Sequence, residues 1–179
     1  MFYNLTDLEY SITEMVELFD GVIPLNWEIL HINDRDTNIE FNPILVDDSH
    51  GISLKGTEFV GIPKCNMDVL YKNEFTSKYI NLINKKFKNA TSSSFHYMDK
   101  NGFLTWHTNQ GESPEKPFRF YATYNDTEGS FFKYIPFGEN VVVTINEPVG
   151  WYFKLFYVED ELLHCMKSNG NRYSLGMRF

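Results

Sequence analysis

The chain is short of cysteine, of positive charge and of long apolar runs, and each shortage removes a class of protein. Its two cysteines, Cys65 and Cys165, are too few and too scattered across 179 residues for a disulfide framework. Reduced thiols in a cytoplasmic setting are the expectation. Only 16 lysines and arginines stand against 24 acidic residues, a formal charge of −8. A broad nucleic-acid face needs clustered cations to displace counterions, so that partner class is disfavoured. The one basic cluster, Lys85-Lys86-Phe87-Lys88, reads as the solvated C-terminus of a helix, where cations complement the dipole. No window approaches membrane-spanning length, and no basic flank leads into an apolar leader, which predicts a soluble protein without a membrane partner. Internal repeats and Gly/Ser linkers are missing too, so residues 1–179 are expected to form a single domain.

What the chain has in quantity is aromatic side chains, 17% of all residues with 16 Phe and 11 Tyr. Aromatics suit pleated, half-buried surfaces and favour a β-rich fold. Residues 1–91 are expected to form a helical and irregular β buttress. Thr6 and Glu9 make a capping box for a first helix, in which Leu8, Ile12, Met15, Val16 and Phe19 form one stripe before Gly21. A second helix is predicted over 75–89, with Tyr79, Ile80, Ile83 and Phe87 on one face. Between them Trp27–Ile32 and Ile44-Leu45-Val46 look like short strands. Asp47-Asp48-Ser49-His50-Gly51 looks like a solvated turn, since its spacing fits neither an EF-hand loop nor a zinc site.

From residue 92 onward the period becomes that of strands. Eight are predicted: Ser93–Tyr97, Phe103–His107, Phe118–Tyr124, Ser130–Ile135, Asn140–Ile145, Trp151–Tyr157, Leu162–Met166 and Tyr173–Phe179. Turn signals such as Asn101-Gly102, Pro136-Phe137-Gly138 and Pro148-Val149-Gly150 separate them. Short strands at even spacing point to a sandwich or barrel. The chemistry-bearing residues fall within this block. His107-Thr108-Asn109 closes one strand, His164 sits in a late one, and Arg172-Tyr173-Ser174 follows closely. Residues i and i+2 of a strand project to the same side, so a pair at that spacing can reach one ion. Cys165, next to His164, points to the opposite face and is expected to be buried and inert.

The order of these residues resembles the iron(II)/2-oxoglutarate-dependent dioxygenase superfamily, in its prolyl-hydroxylase-like branch. The family pattern is His-x-Asp, an Arg-bearing strand ending Tyr-x-Asn, a Gly turn into Phe, a Gly before a strand, a distal His, then Gly-x-Arg-x-Ser. This chain offers His107-Thr108-Asn109, Arg119 with Thr123-Tyr124-Asn125, Gly129-Ser130-Phe131, Gly150-Trp151, His164, and Gly170-Asn171-Arg172-Tyr173-Ser174. The resemblance covers about half the chain. It implies a mainly β fold with flanking α-helices, a double-stranded β-helix (jelly-roll or cupin-like) core over residues 92–179, and an oxidoreductase with Fe(II) and 2-oxoglutarate as cofactors.

Carried over residue by residue, His107 and His164 are the implied metal ligands. Arg172, with Ser174, is the implied anchor for the distal carboxylate of 2-oxoglutarate. Either Tyr121 and Thr123 or Ala122 and Tyr124 face the pocket. Asn109 stands where the family has a ligating carboxylate, and three explanations compete. Glu112 or Asp126 supplies the missing oxygen, water or halide fills the position, or the fold persists without the chemistry. The leading reading is a hydroxylase-like oxygenase whose prime substrate the sequence leaves open. The alternative is a non-catalytic binding module with a decayed metal site. A cupin-like metal protein stands third, since it has no need of an Arg172/Ser174 anchor.

Overall fold

The computed structural model describes residues 41–55, 65–66, 68–69, 81, 91–108, 118–157 and 162–178. The first predicted helix, the strand at 27–32, the basic cluster at 85–88, Asn109 and Glu112 all lie outside those residues. So does the second predicted helix, apart from Asn81.

The described chain begins with a 3-10 turn at Pro43–Val46 and one α-helix, α1 (Asp48–Leu54). Both stand where the sequence suggests strand and turn. Pro43 fixes φ at the first helical position, and the Asn42 side chain accepts from the Ile44 amide at 3.1 Å. Asp47 then caps α1, accepting from the Ser49 amide at 2.9 Å. Asp, Ser, His and Gly are weak helix formers, so α1 depends on what it touches. Trp106 Nε1 donates to the Asp47 carbonyl at 2.9 Å, and Lys133 Nζ reaches Asp48 Oδ1 at 2.6 Å and the Val46 carbonyl at 3.2 Å.

Ten strands follow: β1 (Cys65–Asn66), β2 (Asp68–Val69), β3 (Thr91–Met98), β4 (Phe103–His107), β5 (Phe118–Asn125), β6 (Ser130–Ile135), β7 (Val143–Glu147), β8 (Gly150–Tyr157), β9 (Leu163–Lys167) and β10 (Arg172–Arg178). All eight strands expected after residue 92 are present. The one starting furthest from its expected position is β7. Two antiparallel sheets result, in the orders β1-β4-β9-β6-β7 and β2-β3-β10-β5-β8. In each, four full strands carry a two-residue strand at one edge.

This corrects the expected fold class. The described chain is a mixed α/β fold with two open sheets and one true helix, not a double-stranded β-helix closed into a barrel with flanking helices. Among the described residues each sheet ends in strands with a single neighbour, and no ladder joins the two. The chain passes from the edge of one to the edge of the other through Pro148 and Val149. Pro148 has no amide to donate, and Gly150 turns with φ +89°, so the strands on either side do not pair.

The sheets face each other through mixed contents. Phe132 of β6 stacks on Phe156 of β8 with centroids 5.2 Å apart, and Met98, Leu104 and Met166 form a second bridge. On the outer side of the first sheet, Val46, Trp106, Ile135, Leu163 and Cys165 make a buried cluster, with Phe41 and Leu54 against it. Cys165 is fully buried there, and burial pushes its thiol up to about 12, as the strand alternation implies. Among the described residues no helix is long and apolar enough to cross a membrane.

Gly51 marks the tightest point of that packing. A Cβ built there meets Trp106 Cζ2 at 2.6 Å and Cδ2 at 2.8 Å. Gly51→Ala is therefore expected to destabilise the protein by about 1–3 kcal/mol through overpacking. Urea unfolding followed by tryptophan fluorescence measures it, and an unchanged midpoint would show that the helix docks differently.

Candidate functional site

His107 ends β4 and His164 lies on the adjacent β9, directly opposite in register. Their rings lie 4.1 Å apart between centroids, and both side chains are buried. The two histidines that the sequence singled out are thus neighbours. In each, Nδ1 lies 2.8 Å from a backbone carbonyl two residues earlier, Thr105 O and Leu162 O respectively. A carbonyl can only accept, so Nδ1 carries the proton, and in the neutral ring Nε2 carries the lone pair. Burial first, and then the neighbouring His107, hold the His164 imidazole well below its ordinary range. A neutral imidazole fixed by a second hydrogen bond is the form that binds a divalent ion.

Among the described residues, no three His, Cys, Asp or Glu side chains are placed to hold one ion. Asp126, one of the residues considered as a substitute, accepts instead from the Asn171 amide at 2.8 Å, Asn171 Nδ2 at 2.6 Å and Thr127 Oγ1 at 2.8 Å. It holds the turn before β10.

The face of β5 that turns inward is now defined. Thr123 pairs in register with Ser174, and Tyr121 with Gly176, so Tyr121 and Thr123 share the side of Arg172 and Ser174. Tyr124 pairs with Tyr173 and Ala122 with Leu175 on the other side. Thr123 and Ser174 are both buried, and Tyr121 packs its ring at 6.4 Å from Phe156.

Arg172, fully buried on β10, meets a partner that the sequence did not suggest. Its Nε donates to Glu147 Oε2 at 2.7 Å and its Nη2 to Glu147 Oε1 at 3.0 Å. Lys154 of β8 also donates to Glu147 Oε1, and to Thr123 Oγ1 at 3.2 Å. Burial alone would raise the Glu147 carboxyl, but the charges of Arg172 and Lys154 outweigh it and hold the group down at about 2. Two cations on one carboxylate leave an excess positive charge. The lysine yields to it, with burial the largest cause, and falls to about 8.

A 2-oxoglutarate carboxylate on Arg172 would meet a guanidinium whose Nε and Nη2 already donate to Glu147. On the other wall, His107 and His164 stand side by side with their Nδ1 atoms on backbone carbonyls. The sequence signal for the missed residues is slight. Lys154 is the only charge in Trp151-Tyr152-Phe153-Lys154-Leu155-Phe156-Tyr157, and Glu147 is the last residue before Pro148.

No family model and no curated protein matches the chain. Among solved structures, it is similar to a 2OG-Fe(II) oxygenase family oxidoreductase from Burkholderia pseudomallei. The identity is 14% over 63% of this chain and 65% of that one, with a TM-score of 0.46. That match spans less than two thirds of the Burkholderia protein. A prolyl-4-hydroxylase from Pseudomonas putida matches at 11% identity over 75% of this chain and 88% of that one, TM-score 0.44. CENP-C of Drosophila melanogaster, solved bound to CAL1, matches at 9% over 97% and 99%, TM-score 0.40. These likenesses are distant and concern the general layout of strands, and no residue role is transferred from them.

Proposed function

We propose that the protein is a non-catalytic binding module with a two-histidine metal centre. His107 and His164 supply the nitrogen donors and Arg172 serves as an internal counter-ion. The single observation that carries this reading is the closure of Arg172 by Glu147 at 2.7 and 3.0 Å. A charge-assisted bidentate pair in a buried site is among the stronger polar contacts a protein makes, and an outside carboxylate would have to displace it. A hydroxylase-like oxygenase using Fe(II) and 2-oxoglutarate on an unidentified substrate is the second reading. The specific observation favouring it is the convergence of the two histidines. It requires Glu147 to leave Arg172.

Calorimetric titration with Fe(II), under argon, or Zn(II), followed by 2-oxoglutarate, separates the two. Metal binding of modest affinity is expected in wild type, weakened more than about tenfold, or ~1.4 kcal/mol, by either His107→Ala or His164→Ala. Asn109→Asp should tighten it, since a carboxylate adds charge and a hard oxygen two residues beyond His107. Metal-loaded wild type is expected neither to bind 2-oxoglutarate nor to form succinate. Succinate production would sink the binding-module reading and restore the oxygenase.

The reading also requires an ionised Glu147. Its carboxyl titrates at about 2 in the folded protein against an ordinary 4.5. Between those values the unfolded chain holds a proton that the folded chain does not, so stability rises with pH. The contribution is complete above 4.5 and is lost as pH falls towards 2, on the order of 3 kcal/mol for this one group. Urea midpoints measured across that window should show the slope, and Glu147→Gln should remove that share of it.

A further inference from the structure

Three charged side chains meet between the sheets, and they do not come from the same wall. Arg172 and Lys154 belong to the second sheet, on β10 and β8, with Thr123 of β5 between those strands. Glu147 belongs to β7, the edge strand of the first sheet. The second sheet thus carries every part of a carboxylate receptor: a guanidinium presenting two parallel donors, an ammonium on the same oxygen, and a hydroxyl that fixes the ammonium. The first sheet supplies only the occupant. Arg172 Nη1 is buried and has no acceptor among the described residues, so the receptor has more donors than Glu147 uses.

We propose that Arg172, Lys154 and Thr123 form a receptor for small carboxylates, for which Glu147 is the built-in ligand, and that free carboxylates of the acetate and propionate class occupy it once the Glu147 side chain is removed. The proposal rests on the functional reading above in one respect, that Glu147 closes the site in the native protein. Its physical basis is the asymmetry of buried ion pairs. Deleting one partner leaves the other charges desolvated and uncompensated, whereas a replacement anion restores the compensation. Glu147→Ala removes the carboxylate together with one methylene carbon, leaving the space of an acetate, with propionate one carbon larger, between cations already held in place. Lys154 is fixed by its hydroxyl contact and lies over the Phe132 and Tyr152 rings at 5.2 and 5.4 Å.

The test is thermal unfolding at pH 7 of wild type, Glu147→Ala and Glu147→Gln in sodium acetate, sodium propionate and sodium chloride of equal ionic strength. Glu147→Ala is expected to lose roughly 10 °C in Tm. It should regain most of that as acetate or propionate is raised, with the logarithmic concentration dependence of a bound ligand, and regain little in chloride. Glu147→Gln fills the same volume with a neutral amide and should lose stability without recovering in any salt. Wild type should show no difference between carboxylate and chloride. Recovery of Glu147→Ala that is equal in chloride, or absent in every salt, overturns the proposal. Should Glu147→Ala not fold in plain buffer, its refolding yield from urea replaces Tm as the readout. A yield no higher in acetate than in chloride then overturns the proposal. Succinate formation by metal-loaded wild type would instead refute the functional reading, while the response of Glu147→Ala would still decide whether the receptor exists.

Discussion

The interior of this protein depends on one carboxylate. Glu147 compensates Arg172 and Lys154 at once, and all three lie where water does not reach. Bringing such charges out of water costs several kcal/mol per ion, and their mutual attraction repays it only with good geometry and hydrogen bonds. Here the geometry is bidentate on one side and supported by Thr123 on the other. The network is better understood as fixing one arrangement of the sheets than as adding net stability. An apolar trio of equal volume would hold the walls together, but it would not specify which residues meet.

The same carboxylate governs what the inner surface can do. The two walls divide the polar groups between them. His107 and His164 stand on the first sheet, and the cations on the second, with Phe132, Tyr134 and Phe156 packed among them. The histidines have their tautomer set by backbone carbonyls, which costs no other side chain. Both rings lie in a largely dry setting, while the neighbouring cationic group is already compensated. A metal ion and an anion are therefore separate questions in this molecule, one asked of each wall.

Much of the strand layout was legible because period-two alternation and turn residues act locally. Phe103–His107 and Ser130–Ile135 have the bounds read from sequence, and the pairing of an early with a late strand brought His107 opposite His164. Other features depend on contacts distant in sequence. Asp48–Leu54 has the composition of a turn, and becomes a helix beneath Trp106 and Lys133. Ile44-Leu45-Val46 has β-branched and apolar residues, but Asn42 and Pro43 start a 3-10 turn first. β7 begins at Val143 rather than Asn140, since Val141 stays exposed and Val142 packs on the outer cluster. The closed core was an inference from family likeness, and no local pattern revealed that Pro148 would leave two sheet edges unjoined. Arg172 was expected to anchor a carboxylate of 2-oxoglutarate, and the carboxylate it meets in the structure is that of Glu147. A glutamate at a strand end and one lysine among aromatics carry no local mark of that contact.

The crossing at Pro148-Val149 gives the sandwich an index mark. Side chains alternate along β7, so a slip of one residue against β6 would turn Asn146 inward and send Glu147 to the opposite face. Arg172 and Lys154 would then be buried with no anion between them, a far larger penalty than an apolar strand suffers for the same slip. With the proline allowing no ladder to continue past Glu147, the chain cannot share the error with the next strand. Electrostatics thus sets the register of an edge strand whose hydrophobic pattern, exposed at Thr144 and Asn146 and only half-buried at Val143 and Ile145, would define it only weakly.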